Sequence, residues 1–485
     1  MLSRPDARVV ARDPSLPALA RLLDPDFMLG LLERERPELG ASEARCTYVR
    51  YKPGTRILAG FEVRDASGVS LPVSAWGVCA ADRPKLFKAL GRAAAPGRSS
   101  GAEPGSPASP DPLLVSGGDL LVTFYPHDRR LPALSTLARP GFLGELLSDR
   151  AGEAGGRTVE RPKLEILSYK PERRVVVKVT PFCGMSSTDE SERRSWPSGT
   201  AAPGASDPLV LRLYTPGRFR TAHRGFRAFA RRSEDPRVLP SADAFRLPSL
   251  LARSRSRHIL VLDWVEGDPI ADERWEEEGP GRGTLLAGAV GRGLADLHDQ
   301  EAPGLRVRGT ASVASSLRHA ARGVGAVSPG RTARRARSVA RDLVHHLEGP
   351  PPCAFEKAPL HGDFHPDQLV ISSRGRLGLL DLDRSHLGER VEDLATFMAH
   401  LERRALEGAL SSSRLALLES ALLAGYEASA GPVNPTRYVL HRGAALLRLA
   451  PQPFRDRTRN WHRVTRRLVS RAGELLHTLP RRGYP

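Results

Sequence analysis

The residues whose types and spacing could do chemistry lie in one stretch, His361 to Asp383, which reads HGDFHPDQLVISSRGRLGLLDLD. Two short apolar runs flank a polar, glycine-containing turn, and this pattern predicts a β-hairpin. The hairpin would carry Asp363 and Gln368 before its first strand and Asp381 after its second, so these side chains meet at one end. Because Mg²⁺ prefers hard oxygen ligands together with phosphate and water, the stretch predicts a site that holds Mg²⁺ against phosphate.

The same stretch resembles the catalytic and metal-binding segment of the aminoglycoside phosphotransferase and choline kinase-like family, small-molecule relatives of the protein kinases. By that resemblance Asp363 is the catalytic residue, which orients the acceptor hydroxyl and takes its proton, while Asp381 and Gln368 hold Mg²⁺. The family usually has Asn where this chain has Gln368, which offers the same amide oxygen on a longer arm. The resemblance rests on His361-Gly362-Asp363, His365, Gln368 and Leu380-Asp381-Leu382-Asp383.

The resemblance implies an α+β, protein kinase-like fold with two lobes, an antiparallel-sheet N-lobe and a helical C-lobe. We expect the nucleotide-binding N-lobe over residues 156–266 and the C-lobe, with the catalytic and metal-binding loop, over residues 267–485. Residues 1–155 form an N-terminal accessory region in this scheme. The co-substrate implied is ATP or GTP with Mg²⁺, and the partner is a small-molecule hydroxyl acceptor.

A cation that grips the nucleotide phosphates is expected on the strand within PLVLRLY, residues 208–214. Arg212 takes the position of the family's phosphate-binding lysine, and a guanidinium can engage phosphate through two hydrogen bonds. Lys178, on the preceding strand, is the alternative. The phosphate-binding turn is expected over residues 169–174, where backbone amides and Arg173 or Arg174 would contact the phosphates. The helix predicted over residues 221–232 lacks the Glu that positions this cation in the family, and Glu234 lies just beyond it.

The run ILVLDWVEG resembles the hinge that joins the two lobes of this fold. By that resemblance, backbone groups near Asp263, Trp264 and Val265 meet the adenine ring. Farther along, Asp393 in the segment EDLA matches an Asp that braces the metal-binding loop, so its expected role is structural. His298, at the end of the helix expected beneath the catalytic loop, is also expected to be structural.

A short internal repeat precedes the N-lobe. Tyr51-Lys52-Pro53 with Arg56 returns as Tyr169-Lys170-Pro171 with Arg174 at a constant offset of 118 residues. In both copies an apolar run precedes the turn and a strand follows it, and repeated local context is the mark of duplicated structural units. We hypothesise that residues 40–130 are a degenerate copy of the N-lobe. The alternative is that two β-hairpins use the same turn sequence.

Composition limits the class of protein. The chain has 485 residues with 40% hydrophobic and 26% charged side chains, as in soluble globular proteins. Its net charge of +18 comes mainly from dispersed arginines, which either attract phosphate-bearing ligands or solvate the surface. Nucleic-acid binding is not expected, because no zinc-finger or RNP signature accompanies the charge. Four distant cysteines without a CxxC pair predict free thiols in a reducing compartment.

No apolar run approaches the length of a membrane span, and the N-terminus lacks the apolar core of a signal peptide, so a cytoplasmic protein is expected. Two other functions stay open. A pseudokinase would bind a nucleotide or partner without turnover, and the departures at Gln368 and at the helix motivate it. A zinc-dependent hydrolase could use the alternating His361, Asp363 and His365. The acceptor, the choice between ATP and GTP, and the oligomeric state are left open by the sequence.

Overall fold

The computed structural model describes residues 2–93, 110–137, 141–142, 145–146, 162–180, 207–229, 244–276, 281–348 and 357–479. The fold is α+β, with antiparallel sheets in the N-terminal half and helices in the C-terminal half, which confirms the predicted class. Cys46 and Cys79 are free thiols, and Cys183 and Cys353 lie outside the described residues. No helix in the described ranges is both long enough and apolar enough to span a bilayer.

The first unit is a five-stranded antiparallel sheet in the order β1-β2-β3-β5-β4. Three short helices cover one face and bury their apolar side chains against the inward-facing side chains of the strands. Its elements are α1 (Arg4–Val10), α2 (Ala18–Leu23), α3 (Phe27–Glu35), β1 (Ala41–Lys52), β2 (Arg56–Asp65), β3 (Ser70–Val78), α4 (Arg83–Ala93), β4 (Leu113–Leu114) and β5 (Leu120–Phe124).

The second unit is another five-stranded antiparallel sheet, in the order β6-β7-β8-β10-β9. Along β7, Val175, Val177 and Val179 face a buried apolar core, so the alternating residues Arg174 and Lys178 face the other side, toward the C-terminal half. Its elements are β6 (Lys163–Lys170), β7 (Arg174–Thr180), β8 (Leu209–Tyr214), α5 (Pro216–Phe229), β9 (Leu250–Ser254) and β10 (Ile259–Asp263).

The two sheets share their strand order and the geometry of the repeated turn. Lys52 pairs with Arg56 and Lys170 pairs with Arg174 at the same register. The third residue of each turn has a left-handed backbone, with φ of 64° at Gly54. At Glu172, the corresponding position, φ is 58°.

An aspartate from an earlier segment caps each turn in the same way. Asp13 accepts hydrogen bonds from the Tyr51 hydroxyl at 2.7 Å and from the Gly54 amide at 2.8 Å. Asp128 accepts from the Tyr169 hydroxyl at 3.0 Å and from the amide of the corresponding turn residue at 2.7 Å. The likeness of the two units therefore extends to side chains outside the repeated sequence.

The C-terminal half is built from helices that pack around two apolar cores, with three short β-ladders beside them. The small strands are β11 (Asp268–Pro269), β12 (Lys357–Leu360), β13 (Leu369–Ile371), β14 (Leu377–Leu379) and β15 (His386–Glu389). The helices are α6 (Asp272–Glu276), α7 (Arg282–His298), α8 (Thr310–Val327), α9 (Arg331–Glu348), α10 (Val391–Glu407), α11 (Ser412–Ala430), α12 (Pro435–Leu449), α13 (Gln452–Arg455) and α14 (Trp461–His477).

The helix expected over residues 221–232 begins earlier, at Pro216, and the structure describes it to Phe229. Proline suits the first turn of a helix, because its fixed φ is helical and its missing N–H would have no partner there. The buried positions Phe219, Ala222 and Phe226 recur at helical spacing and hold this helix against the core. Glu234 lies outside the described residues.

Candidate active site

The predicted hairpin is present and brings the expected oxygen ligands together. Strands β13 and β14 pair antiparallel, with Leu369 opposite Leu379. The next residue, Leu380, donates its amide to the Gln368 carbonyl at 2.8 Å. Gln368 and Asp381 are therefore neighbours at one end of the hairpin, as the sequence predicted. Asp381 has a left-handed φ of 66°, a conformation that non-glycine residues adopt at a cost.

Two buried guanidinium groups meet two carboxylates at this end of the hairpin. Arg212 Nη1 lies 2.9 Å from Asp381 Oδ1 and 3.0 Å from Asp383 Oδ1. Arg174 Nη1 lies 2.6 Å from Asp381 Oδ2 and 2.8 Å from Asp383 Oδ2. Tyr214 donates its hydroxyl to Asp383 Oδ1 at 2.6 Å. The positive charges come from the sheet of the second unit and the negative charges from the hairpin, so this network joins the two halves.

The network separates the acidities of the two carboxyl groups. Burial alone would raise the pKa of Asp381, but the charges of Arg212 and Arg174 outweigh burial and hold that pKa well below its ordinary value. Burial and the neighbouring Asp381 charge raise the pKa of Asp383 above its ordinary value. Asp381 is therefore the group that stays charged most readily.

Asp363 lies on the same side of the hairpin and keeps 31% of its side chain exposed. Arg384 Nη1 contacts its Oδ1 at 3.0 Å. Burial would raise the pKa of Asp363, but the charge of Arg384, with a smaller contribution from His365, lowers it. An ionised carboxylate that is accessible from outside can accept a hydrogen bond, and then a proton, from a bound hydroxyl group.

The loop that carries Asp363 is held from beneath by a buried aspartate. Asp393 accepts the amide of His361 at 2.7 Å and the amide of Gly362 at 2.9 Å. His298 Nε2 lies 3.3 Å from the same carboxylate, and its Nδ1 lies 2.9 Å from the Tyr426 hydroxyl. The structure therefore places Asp393 and His298 in the supporting roles that were expected for them.

Gly362 is a position where only glycine fits. Its φ is 78°, in the left-handed region. A Cβ atom here would come within 2.7 Å of His386 Nδ1 and would collide with the Arg384 carbonyl oxygen. This close approach brings the catalytic loop onto the chain segment that follows the hairpin.

The side chain of Gln368 contacts a pair of histidines. Its Nε2 lies 3.1 Å from His365 Nε2. The His365 ring stacks on the His400 ring, with centroids 4.3 Å apart and planes at 7°. Burial, together with the neighbouring His365, holds the pKa of His400 well below its ordinary value. Gln368 therefore connects the open end of the hairpin to the stacked His365 and His400 rings.

The structure separates the two cations proposed for the phosphates. Arg212 is in the carboxylate network, whereas Lys178 lies farther along the sheet with its Nζ 4.3 Å from the centre of the Trp264 ring. The carboxylate of Asp263 binds Arg246 and accepts the Ser249 amide at 2.6 Å. Val265 is buried against Gly378 of the hairpin. The proposed hinge therefore directly contacts the catalytic hairpin.

The helix that lacks a Glu has a different contact with the site. No Asp or Glu is present in α5, PGRFRTAHRGFRAF. The counter-charge for Arg212 comes from the two hairpin aspartates instead. Helix α5 packs on the turn after Asp381, because a Cβ atom at Gly225 would collide with the Leu382 carbonyl oxygen. The two hairpin aspartates therefore take the place of the missing Glu as partners of Arg212.

Arg174 was expected only as a phosphate contact, and four other site residues carried no predicted role: Tyr214, Asp383, Arg384 and His400. A signal for Arg174 existed in RVVVKV, where strand alternation places it on the face that also carries Lys178. The partners of His400 were invisible in the sequence, because they depend on how a helix packs against the loop.

The three residues of the zinc alternative face different partners. His361 Nε2 bonds the Leu380 carbonyl at 2.7 Å, Asp363 bonds Arg384, and His365 stacks on His400. Among the described residues there is no group of three His, Cys, Asp or Glu side chains that could hold a metal ion. The geometry therefore offers no support for a zinc hydrolase.

A family model and several solved structures resemble this chain. The model of the phosphotransferase enzyme family matches residues 190–431, about half of the chain. No curated protein sequence matches this chain. Similar solved structures include a provisionally assigned aminoglycoside phosphotransferase from Ralstonia eutropha JMP134, which is 15% identical with a TM-score of 0.48 over 70% of this chain and 98% of that one.

Two further solved structures are similar at comparable levels. The macrolide 2'-phosphotransferase MphH from Brachybacterium faecium is 17% identical, with a TM-score of 0.40 over 70% of this chain and all of that one. The choline kinase LicA from Streptococcus pneumoniae is 12% identical, with a TM-score of 0.40 over 65% of this chain and 93% of that one.

The α+β fold, with antiparallel sheets before a helical half, is the fold expected for the protein kinase-like class. The chain belongs to the phosphotransferase enzyme family, as its catalytic-loop sequence indicated.

Proposed function

We propose that the protein transfers the γ-phosphoryl group of ATP or GTP to a hydroxyl group of a small molecule. The observation that carries this proposal is the pairing of Asp381 with the guanidinium groups of Arg174 and Arg212 at the hairpin end that also carries Gln368. Asp363, held by Arg384, lies on the loop that precedes this hairpin. Phosphoryl transfer requires mainly positioning and neutralisation of charge on the phosphate oxygens, and this arrangement provides groups for both.

The residues at the hairpin fit Mg²⁺ by donor type. Asp381 supplies a carboxylate that stays ionised, and Gln368 supplies an amide oxygen beside it. Bound Mg²⁺ would neutralise charge on the nucleotide phosphates. The oxygens of Asp381 contact Arg174 and Arg212 in the structure, so these guanidinium groups have to share that carboxylate with the metal ion or turn toward the phosphates.

The residues of the chain divide the remaining work. Asp363 accepts a hydrogen bond from the acceptor hydroxyl, which aligns the oxygen with the γ-phosphorus, and takes its proton as the new bond forms. Arg384 fixes the Asp363 carboxylate, and Asp393 fixes the backbone beneath it. The backbone of Asp263 to Val265 would bind the adenine ring, and Lys178 lies over the ring of Trp264 in this segment.

Unfolding experiments with and without ligands test the proposal. ATP should raise the unfolding temperature, Mg²⁺ should increase that shift, and Asp381→Ala should abolish the increase, because a ligand that binds only the folded state stabilises it by mass action. GTP measured in parallel decides the nucleotide. Asp26→Ala, an exposed change of the same type, is the control. Absence of a shift with either nucleotide would contradict the proposal.

A pseudokinase is the second candidate, and one observation favours it. Both oxygens of Asp381 are engaged by guanidinium groups, so positive charge already stands where a metal ion would bind. Nucleotide binding that is unchanged by Mg²⁺ and by EDTA, without production of nucleoside diphosphate, would establish this function in place of the enzyme.

We propose the division into an accessory region over 1–155, an N-lobe over 156–266 and a C-lobe over 267–485. We further propose that the first sheet is a second copy of the N-lobe, on the strength of the shared strand order and the matching aspartate-capped turns. Contacts between this sheet and the proposed N-lobe suggest a structural role for the accessory region. Glu172, in the proposed phosphate-binding turn, forms ion pairs with Arg50 at 2.8 Å and with Arg129. Because both arginines belong to the accessory region, that region holds the turn in position.

Substitution of Arg50 tests whether the accessory region positions the turn. Arg50→Gln removes one partner of Glu172 and should raise the KM for the nucleotide while leaving kcat within about twofold, because the turn loses its fixed position. Arg45→Gln, an exposed change on the same strand, serves as the control. An Arg50→Gln enzyme with unchanged nucleotide KM would overturn the proposed positioning of the turn.

A further inference from the structure

A cavity in the helical C-terminal half has a distinct chemical character. It has a volume of about 480 Å³ and opens between helix α8 and the junction of α12 with α13. Its walls carry hydroxyl groups and positive charges. The lining consists of Ser312, Ser315, Ser316, His319, Ala320, Arg322, Arg448, Pro451 and Arg455.

No Asp or Glu is among the described residues that line this cavity. Arg322 and Arg455 form no salt bridge within the described part of the chain. Burial and then the charges of Arg455 and Arg322 lower the pKa of His319. The arginines therefore give the cavity a positive charge, and the serine hydroxyls and guanidinium groups offer hydrogen-bond donors.

Arg448 supplies an independent sign of an absent ligand. Its Nη1 is buried and has no hydrogen-bond partner among the described residues. The carboxylate of Glu392 is 3.6 Å away, beyond hydrogen-bond distance. Arg448 is therefore paired with Glu392 by charge but makes no hydrogen bond through Nη1 to a described residue, and a buried donor in this state usually meets an anion or a water molecule.

The cavity is close to the proposed catalytic residue. Arg448 lies beside Glu392, and Glu392 lies 3.5 Å from His386 Nε2. The His386 ring lies against Gly362, the residue before Asp363. Burial lowers the pKa of the Arg448 guanidinium to about 10, and the charges of Glu392 and, more weakly, Asp363 oppose that shift. This chain of contacts connects the cavity wall to the loop that carries Asp363.

We propose that this cavity binds the phosphoryl acceptor and that the acceptor is an acidic hydroxyl compound, held by its anionic group on Arg322, Arg448 and Arg455. The proposal rests on the phosphotransferase function proposed above. Guanidinium groups bind carboxylate and phosphate oxygens with favourable geometry, and they repel ammonium groups. The serine hydroxyls would bind further oxygens of the same molecule.

The proposed step balances as an ordinary phosphoryl transfer. The acceptor oxygen forms a bond to the γ-phosphorus, and the bond from that phosphorus to the bridging oxygen of the nucleotide breaks. The nucleoside diphosphate leaves with the bonding electron pair, and the hydroxyl proton passes to Asp363. The anionic group of the acceptor stays unchanged on the arginines.

Calorimetry with four related sugars tests the proposed charge preference. The protein is loaded with Mg²⁺ and a non-hydrolysable ATP analogue and titrated with gluconate, glucose 6-phosphate, glucose and glucosamine. We expect at least one acid to bind about 10-fold or more tightly than glucose and glucosamine, because a hydrogen bond to a charged group is worth about a factor of 10 to 100. The two acids distinguish a carboxylate from a phosphate.

Substitutions locate that preference. Arg322→Ala and Arg455→Ala should each weaken binding of the preferred acid about 10-fold, while Arg334→Ala, an exposed arginine on the neighbouring helix, should leave it unchanged. Arg322→Glu should shift the preference toward glucosamine. Equal or tighter binding of glucose or glucosamine by the wild type, no binding of either acid, or an acid affinity unaffected by all three cavity variants would overturn the proposal.

The failure of this inference is distinguishable from failure of the proposed function. Nucleotide stabilisation, measured on the same protein, reports the function without any acceptor. Stabilisation by nucleotide and Mg²⁺ without a preference for acids would leave the phosphotransferase standing and remove only the acidic acceptor. Kanamycin and choline, titrated as cationic compounds, should bind more weakly than the preferred acid.

Discussion

Removing Arg212 should expose the competition between guanidinium and metal ion at the hairpin. In the wild-type protein Arg212 and Arg174 neutralise Asp381 and Asp383 in a buried environment. The substitution Arg212→Met keeps much of the side-chain volume but leaves two buried carboxylates with one guanidinium. Breaking a buried ion pair by removing one partner costs about 3–5 kcal/mol of folding free energy, far more than the loss of an exposed pair.

Mg²⁺ should restore part of this loss. In Arg212→Met a divalent cation can bind the two carboxylates without displacing Arg212, so Mg²⁺ alone stabilises the variant more than it stabilises the wild type. At a concentration 100 times its dissociation constant, a ligand adds about 2.7 kcal/mol. We therefore expect roughly half of the lost stability to return at saturating Mg²⁺.

Urea denaturation of both proteins, in EDTA and at increasing Mg²⁺, measures these effects. Arg220→Met, an exposed change on helix α5, is the matched control and should cost less than about 0.5 kcal/mol. A loss below about 1 kcal/mol in Arg212→Met would refute the claim that the network joins the two lobes. Equal effects of Mg²⁺ on variant and wild type would refute the competition between guanidinium and metal ion.

Three other predictions concern the reaction, the packing of α5 and the response to pH. Asp363→Asn should lower kcat about 10²- to 10⁴-fold with little change in nucleotide affinity, measured by release of nucleoside diphosphate; an unchanged kcat would exclude Asp363 as the base. Gly225→Ala should destabilise the protein by about 1–3 kcal/mol in urea denaturation, because its Cβ would collide with the Leu382 carbonyl, whereas Gly217→Ala, with open space, should not. Burial and neighbouring arginines lower the pKa of His223 from 6.5 to about 4, so its neutral form favours folding above pH 6.5 and stability is lost as pH falls toward 4; His223→Gln should remove that slope, and an unchanged slope would contradict the assignment.

Local pattern was enough to predict the catalytic hairpin. The alternation of short apolar runs and a glycine-containing turn predicts two paired strands, and pairing brings residues at the two open ends together, whatever surrounds them. Gln368 and Asp381 are neighbours for this reason. The repeated turn was visible on the same basis, because hydrogen bonds within the turn depend on residues close in sequence.

Contacts between side chains that are distant in sequence could not be predicted from the sequence. Asp393 could be assigned a bracing role by resemblance, but the choice between Arg212 and Lys178 depended on which strand position faces the hairpin once two distant segments pack. The aspartates that cap the two turns are separated from them by about 40 residues, and nothing in their own sequence marks them.

Periodicity and a short run of residues with restricted chemistry were enough to predict the α+β fold class, the hairpin and the family. The pairing of two arginines with Asp381, and the cavity shared by three arginines and three serines, are visible only in the folded chain. The physical reason is that charges act through space, and the chain brings them together only when lobes and helices pack.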